Sequence, residues 1–190
     1  MSMSQEQRET ARRVHKDFFD RCRTAIVNGY YLEAIIMEYA AMEARMNIIM
    51  SLLGKPCSLC KDPKIVHNIG LKNKLECLAE IMDQNKELFE TSKMPRSKVK
   101  RMQEWCEERN NRIHGLYTDT EKYGTLMAKN KKCAEKGFVL CHLLYNETDR
   151  LKRLNKRNPE LLKCVKHDCH VNWNGCKEAI TSLNSVDEQL

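Results

Sequence analysis

Between residues 30 and 53, Leu32, Ile35, Tyr39, Met42, Met46, Ile49 and Leu53 recur at steps of three and four. That rhythm lays them along one face of a helix of about seven turns, and a strand cannot put them on one side. So long an apolar stripe has to be covered by other elements, and helices are what the rest of the chain offers. The methionines on it serve as adaptable core filler. Gly (7) and Pro (4) are scarce, and the hydrophobic share of 42% is enough for a packed core. The 31% of charged residues is mostly Lys, Arg and Glu, which favour helix. The fold class that follows is all-α, a helical bundle, and 190 residues fit one domain, or one domain with an appendage.

Other segments keep the same rhythm. A first helix is predicted over 5–27, with Val14, Phe18, Cys22 and Ala25 on one face, ended by Asn28-Gly29. Residues 54–69 form a loop after Gly54. A third helix runs from Leu71 to Asn85 on Leu71, Leu75, Leu78 and Met82. Pro95, after Ser92, suits the first turn of a helix over 95–114 whose stripe is Val99, Met102 and Cys106. Thr118-Asp119-Thr120-Glu121 fits a capping box for a helix running past Leu144 to Leu154, with Gly124 and Gly137 as places for a kink. Asn158-Pro159-Glu160 opens a short helix, and a last helix covers 176–184. The expected division is a helical domain over 5–155 and a C-terminal helical extension and tail over 156–190.

The formal net charge is +7, which favours polyanionic partners such as RNA or DNA. The polar start Met1-Ser2-Met3-Ser4 does not read as a secretory signal, and apolar stretches are interrupted well short of about 20 residues. The expectation is a cytoplasmic protein with no membrane partner, whose ten cysteines are mostly thiols.

The helix over 95–114 ends in Arg109-Asn110-Asn111-Arg112-Ile113-His114-Gly115. Arg109 falls where the stripe calls for an apolar residue. Arginine and histidine are the side chains that cutting RNA without a metal requires. The imidazole moves protons near neutrality, the planar guanidinium grips phosphate oxygens, and RNA supplies its own 2′-hydroxyl nucleophile. Asn110 and His114, four apart, share a face, so the amide could orient the ring. Arg109 and His114 are five apart, about 140° around a straight helix. Pairing this helix with its copy across a two-fold axis would bring both side chains to one phosphate. On spacing alone, the same residues could merely cap a helix end.

Arg109-Asn110-x-x-x-His114-Gly115 resembles the signature of the HEPN superfamily of small helical domains. The resemblance covers roughly residues 5–155 and extends to architecture, two long helices, a shorter third and a helix ending in the motif. It implies a metal-independent endoribonuclease that acts as a homodimer, with Arg and His of both chains in a shared cleft. It also implies a toxin–antitoxin or antiviral defence setting, with an antitoxin or other regulatory protein as a further partner. Carried over by position, Arg109 contacts the phosphate, His114 transfers protons and Asn110 matches the polar residue after the arginine. Leu116 stands where some toxin families carry a tyrosine, with Tyr117 one position later, and this speaks against a nucleotidyltransferase antitoxin. The alternative is a non-catalytic HEPN-type module that binds RNA or a partner protein.

Basic residues cluster at Lys93, Arg96, Lys98, Lys100 and Arg101, and again at Arg150, Lys152, Arg153, Lys156 and Arg157. Lys98, Arg101 and Arg112 share the motif helix and are the candidates for tracking an RNA backbone, though the same charges could simply solvate a face. Glu38 and Glu43 are read as lying on the polar flank of the second helix, where either could pair with Arg109 or remain solvated. Catalysis of this kind needs no cofactor. Cys57 and Cys60 have zinc-like spacing and could close a structural zinc site with two of Cys164, His167, Cys169, His170 and Cys176. The lack of a second Cys-x2-Cys argues against it. Cys22, Cys77, Cys106, Cys133 and Cys141 read as core residues, and His15, His67 and His142 as structural.

Overall fold

The computed structural model describes residues 4–53, 69–115 and 122–163. Among them the chain is all-α, with seven helices. These are α1 (Gln5–Val27), α2 (Tyr31–Leu52), α3 (Leu71–Gln84), α4 (Lys86–Phe89), α5 (Arg96–His114), α6 (Tyr123–Arg157) and α7 (Pro159–Lys163). The long stripe of α2 is the centre of the core, with Ile35, Met42, Met46, Ile49 and Leu53 fully enclosed. The most extensive helix pair is α2 with α6, followed by α3 with α5.

Several joints are built as the residue types dictate. Gly29 adopts φ +83, the Tyr30 N–H reaches Ala25 O at 2.8 Å and the Gly29 N–H reaches Ile26 O at 3.2 Å. That paired closure of the last turn needs a left-handed residue, which glycine supplies at no steric cost. Before α7, Asn158 Oδ1 accepts the Leu161 N–H at 3.3 Å, a side-chain cap ahead of Pro159. Gly137 lies inside α6 because a Cβ there would meet the Glu38 carboxylate and lie 2.6 Å from the Trp105 ring. The helix runs through Gly137 and Gly124 from Tyr123 to Arg157 without interruption.

The structure departs from expectation at two places, on α1 and just before α5. Val14 is 63% exposed, because α1 turns Phe19 and Cys22 inward and leaves Val14 on the rim of a shallow groove. Phe19 stacks on His142 at 3.7 Å and meets Phe138 and Tyr145 edge-on, so ring packing sets the rotation of α1. Pro95 stands just before α5 in extended backbone rather than in its first turn. Ser92 is no cap for that helix. Its hydroxyl accepts the Met94 N–H at 3.0 Å and donates to Glu147 on α6 at 2.7 Å. Across the boundary expected near 155, α6 continues to Arg157 and Leu162 of α7 is buried in the same core. The 54–68 loop, the Thr118–Glu121 capping box, Leu116, Tyr117 and the 176–184 helix lie outside the described residues.

Candidate functional site at the end of the fifth helix

Two rows of α5 face the core and a third carries the motif's histidine. Val99, Met102 and Cys106 form one buried row, and Arg109 and Ile113 continue it half-buried. Trp105, which the stripe reading passed over, is fully enclosed beside it and donates from Nε1 to Cys133 O on α6 at 2.9 Å. A tryptophan among charged neighbours was the available signal, since its indole needs both an apolar seat and one acceptor.

Arg109 occupies its apolar slot by lying flat on a ring. Its guanidinium carbon is 4.3 Å from the centroid of Tyr39 on α2, an arginine–aromatic stack that tolerates partial burial. Nη1 donates to Asn110 Oδ1 at 2.8 Å, while Nε is enclosed without a hydrogen-bond acceptor among the described residues. Burial pushes the Tyr39 phenol above its usual range, with Glu43 adding to the rise and the Leu71 backbone and Arg109 opposing it. The phenol therefore stays neutral and presents its ring as a platform.

Asn110 and His114 are both exposed. Asn110 spends its carbonyl oxygen on Arg109, so the amide braces the guanidinium rather than the imidazole. On this continuous helix Arg109 faces α2, whereas His114 projects about 140° away. One chain therefore does not bring the two heads together. Lys98 and Arg101 face α6 and line a groove there with Lys136, Val139 and Leu143. Arg112 continues that row at helical spacing and sits close enough to Cys133 to oppose the rise of its thiol. The three cations thus lie within about 60° of one another around α5, on the side away from His114.

The acidic candidates behave differently from expectation. Glu38 is fully enclosed, where a polar flank was expected, because the facing Gly137 leaves a notch that its carboxyl fills against Trp105. Burial pushes its carboxyl up to about 9. Glu43 pairs with Lys74 of α3 at 3.3 Å. Among the described residues, neither forms an ion pair with Arg109.

Cys22, Cys77, Cys106, Cys133 and Cys141 are buried free thiols. Desolvation drives Cys22, Cys106 and Cys133 up to about 12, which keeps them protonated and unreactive. Among the described residues, no three His, Cys, Asp or Glu side chains are placed to hold a metal ion. Cys57, Cys60 and the cysteines and histidines of 164–176 lie outside those residues, as does His67. No described helix is long and apolar enough to cross a membrane. No family model, curated protein or solved structure matches this chain.

Proposed function

We propose that the chain is a metal-independent endoribonuclease whose site forms between two copies of α5, in a cytoplasmic toxin–antitoxin or antiviral setting. The observation that carries this reading is the pose of Arg109. A cation is held half-buried on Tyr39, braced by Asn110 and keeping an enclosed Nε–H without an acceptor among the described residues, five residues before an exposed imidazole. A guanidinium fixed this way has less freedom to lose when it grips a phosphate. The resemblance of Arg109-Asn110-x-x-x-His114 to the HEPN signature points the same way.

In this reading Arg109 neutralises the developing charge on the scissile phosphate. One His114 takes the proton of the 2′-hydroxyl as its oxygen bonds to phosphorus. The His114 of the second copy gives a proton to the departing 5′-oxygen. The products are a 2′,3′-cyclic phosphate and a free 5′-hydroxyl, and the exchange consumes no water. Purified protein is expected to cleave single-stranded RNA in EDTA, and Arg109→Ala and His114→Ala each to lower the rate by at least about a hundredfold. Cleavage that survives both substitutions would remove these residues from the chemistry.

The stack on Tyr39 also favours a second reading, in which Arg109 clips α5 to α2 in a non-catalytic module that binds RNA or a protein partner. The nuclease assay separates the two, with thermal unfolding as the second readout. A clip predicts that Arg109→Ala lowers the melting temperature in a protein with no nuclease activity to lose.

A further inference from the structure

Lys93, at the edge of one basic cluster of the sequence, meets Arg150 and Arg153 of the other in the fold. Lys93, in the turn before α5, and Arg150 and Arg153, on α6, line one cleft of about 460 Å³ together with Thr91, Asn146 and Asp149. Its floor is built on a buried pair. Glu147 is 2% exposed and accepts from Arg150 Nη2 at 2.7 Å and from Nε at 3.0 Å. The Ser92 hydroxyl holds the same carboxylate at 2.7 Å, and Arg150 Nη1 donates to Leu88 O at 3.1 Å. Arg150 is thereby locked in one pose, with two of the five guanidinium N–H groups left over.

Lys93 and Arg153 are exposed on the rim, and neither has an ion-pair partner among the described residues. From Arg153 the basic row continues at helical spacing to Lys156 and Arg157, both exposed. Glu147 is consumed by Arg150, which leaves Asp149 as the uncompensated carboxylate among the described residues that line the cleft. Thr91 and Asn146 add neutral donors. Among the described residues no aromatic ring lines the cleft, so these offer donors and charge but no platform for a base.

We propose that this cleft binds the phosphodiester backbone of single-stranded RNA without reading its sequence. A phosphate sits among Lys93, Arg150 and Arg153, and the strand continues along Lys156 and Arg157. The cleft lies by the N-terminal end of α5, whereas His114 ends that helix, a span of about 27 Å at 1.5 Å per residue. It is therefore a site separate from the motif, and the inference concerns binding alone.

The test uses the full chain and a labelled, 2′-O-methylated single-stranded oligonucleotide, which cannot be cut, read by fluorescence anisotropy. Lys93→Gln with Arg153→Gln is expected to weaken binding on the order of tenfold near 0.1 M salt and to flatten the log–log salt slope by about 1.4, two phosphate contacts' worth. Arg13→Gln with Lys16→Gln, the same charge change on α1, should cost less than about threefold. Equal losses in the two double variants, or no binding by the wild type, would overturn the proposal. Inorganic phosphate or AMP binding as tightly as the strand would assign the cleft to a free phosphate compound and overturn the strand assignment. A chain that binds the strand but never cuts RNA keeps this inference and loses the nuclease reading. A chain that cuts RNA but ignores Lys93 and Arg153 does the reverse.

Discussion

Glu38 shows how one side chain can set the pH response of the molecule. Its carboxyl is enclosed by Trp105 and Gly137, and neither oxygen has a hydrogen-bond partner among the described residues. The ionisable groups that feel it are the thiols of Cys22 from α1 and of Cys133 and Cys141 from α6, all themselves held protonated by burial. Glu38 is accordingly neutral in the folded protein up to about pH 9, while the unfolded chain releases that proton near its ordinary value of 4.5. The folded state then holds the extra proton, so stability is full below the lower value. It falls by about 1.4 kcal/mol per pH unit as pH rises between the two. Urea unfolding at about pH 5 and pH 8 should show this loss in the wild type, and Glu38→Gln should remove most of it. A loss of the same size in both proteins would mean that Glu38 is not the group responsible. The sequence marks Glu38 as polar but cannot show that Gly137, almost a hundred positions later, opens a notch for it. Arg109 was more legible, because its place in an apolar row already required a half-buried pose.

Helix packing turns on another buried ionisable side chain. Lys74 of α3 is 2% exposed and reaches Glu43 of α2 at 3.3 Å. Burial pulls the ammonium down from its usual range and Glu43 pulls it back up. Removing the carboxylate strands a cation between two helices, so Glu43→Ala is expected to destabilise the fold by about 2 kcal/mol. That is below the usual cost of breaking a fully buried pair, because Glu43 is one-third exposed. Adding Lys74→Met should restore most of the loss, since a flexible apolar chain then fills the same path. Thermal melts of the single and double variants check this, and an unchanged melting temperature in Glu43→Ala would show that the pair carries no weight. Periodicity located the long helices α1, α2, α3, α5 and α6, because each buries one face. It missed α4, which at four residues is too short to show a period. On α1 it placed Phe18, Cys22 and Ala25 against the core, but it counted Val14, which is exposed, and passed over Phe19, whose ring contacts bury it.

At the scale of the molecule the question is how Arg109 and His114 could act on one phosphate from different faces of α5. If the site forms across two copies, chains carrying Arg109→Ala and His114→Ala should complement each other when mixed. The mixture is expected to cleave RNA measurably faster than either variant alone but well below the wild type, because the mixed cleft keeps one guanidinium and only one of the two imidazoles that share the proton transfers. A mixture as inactive as its components, in a sample shown to exchange subunits, would argue against a shared cleft. The same view divides the basic residues into two separate surfaces. Lys98, Arg101 and Arg112 follow the side of α5 that faces α6, whereas Lys93, Arg150 and Arg153 converge on a cleft at its other end.

By itself the sequence determined the class of fold, most helix boundaries and the inward faces of α2, α3 and α5, because helical periodicity and turn chemistry are local and act within a few residues. Tertiary structure alone decided that Glu38 is enclosed, that Arg109 rests on Tyr39, that Lys74 finds Glu43, and that Lys93 joins Arg150 and Arg153. Each of these depends on residues tens of positions apart, whose meeting is set by how whole helices pack and rotate. The motif at the end of α5 stands between the two cases. Its residue types and spacing were legible, while the direction in which each side chain points belongs to the packed bundle.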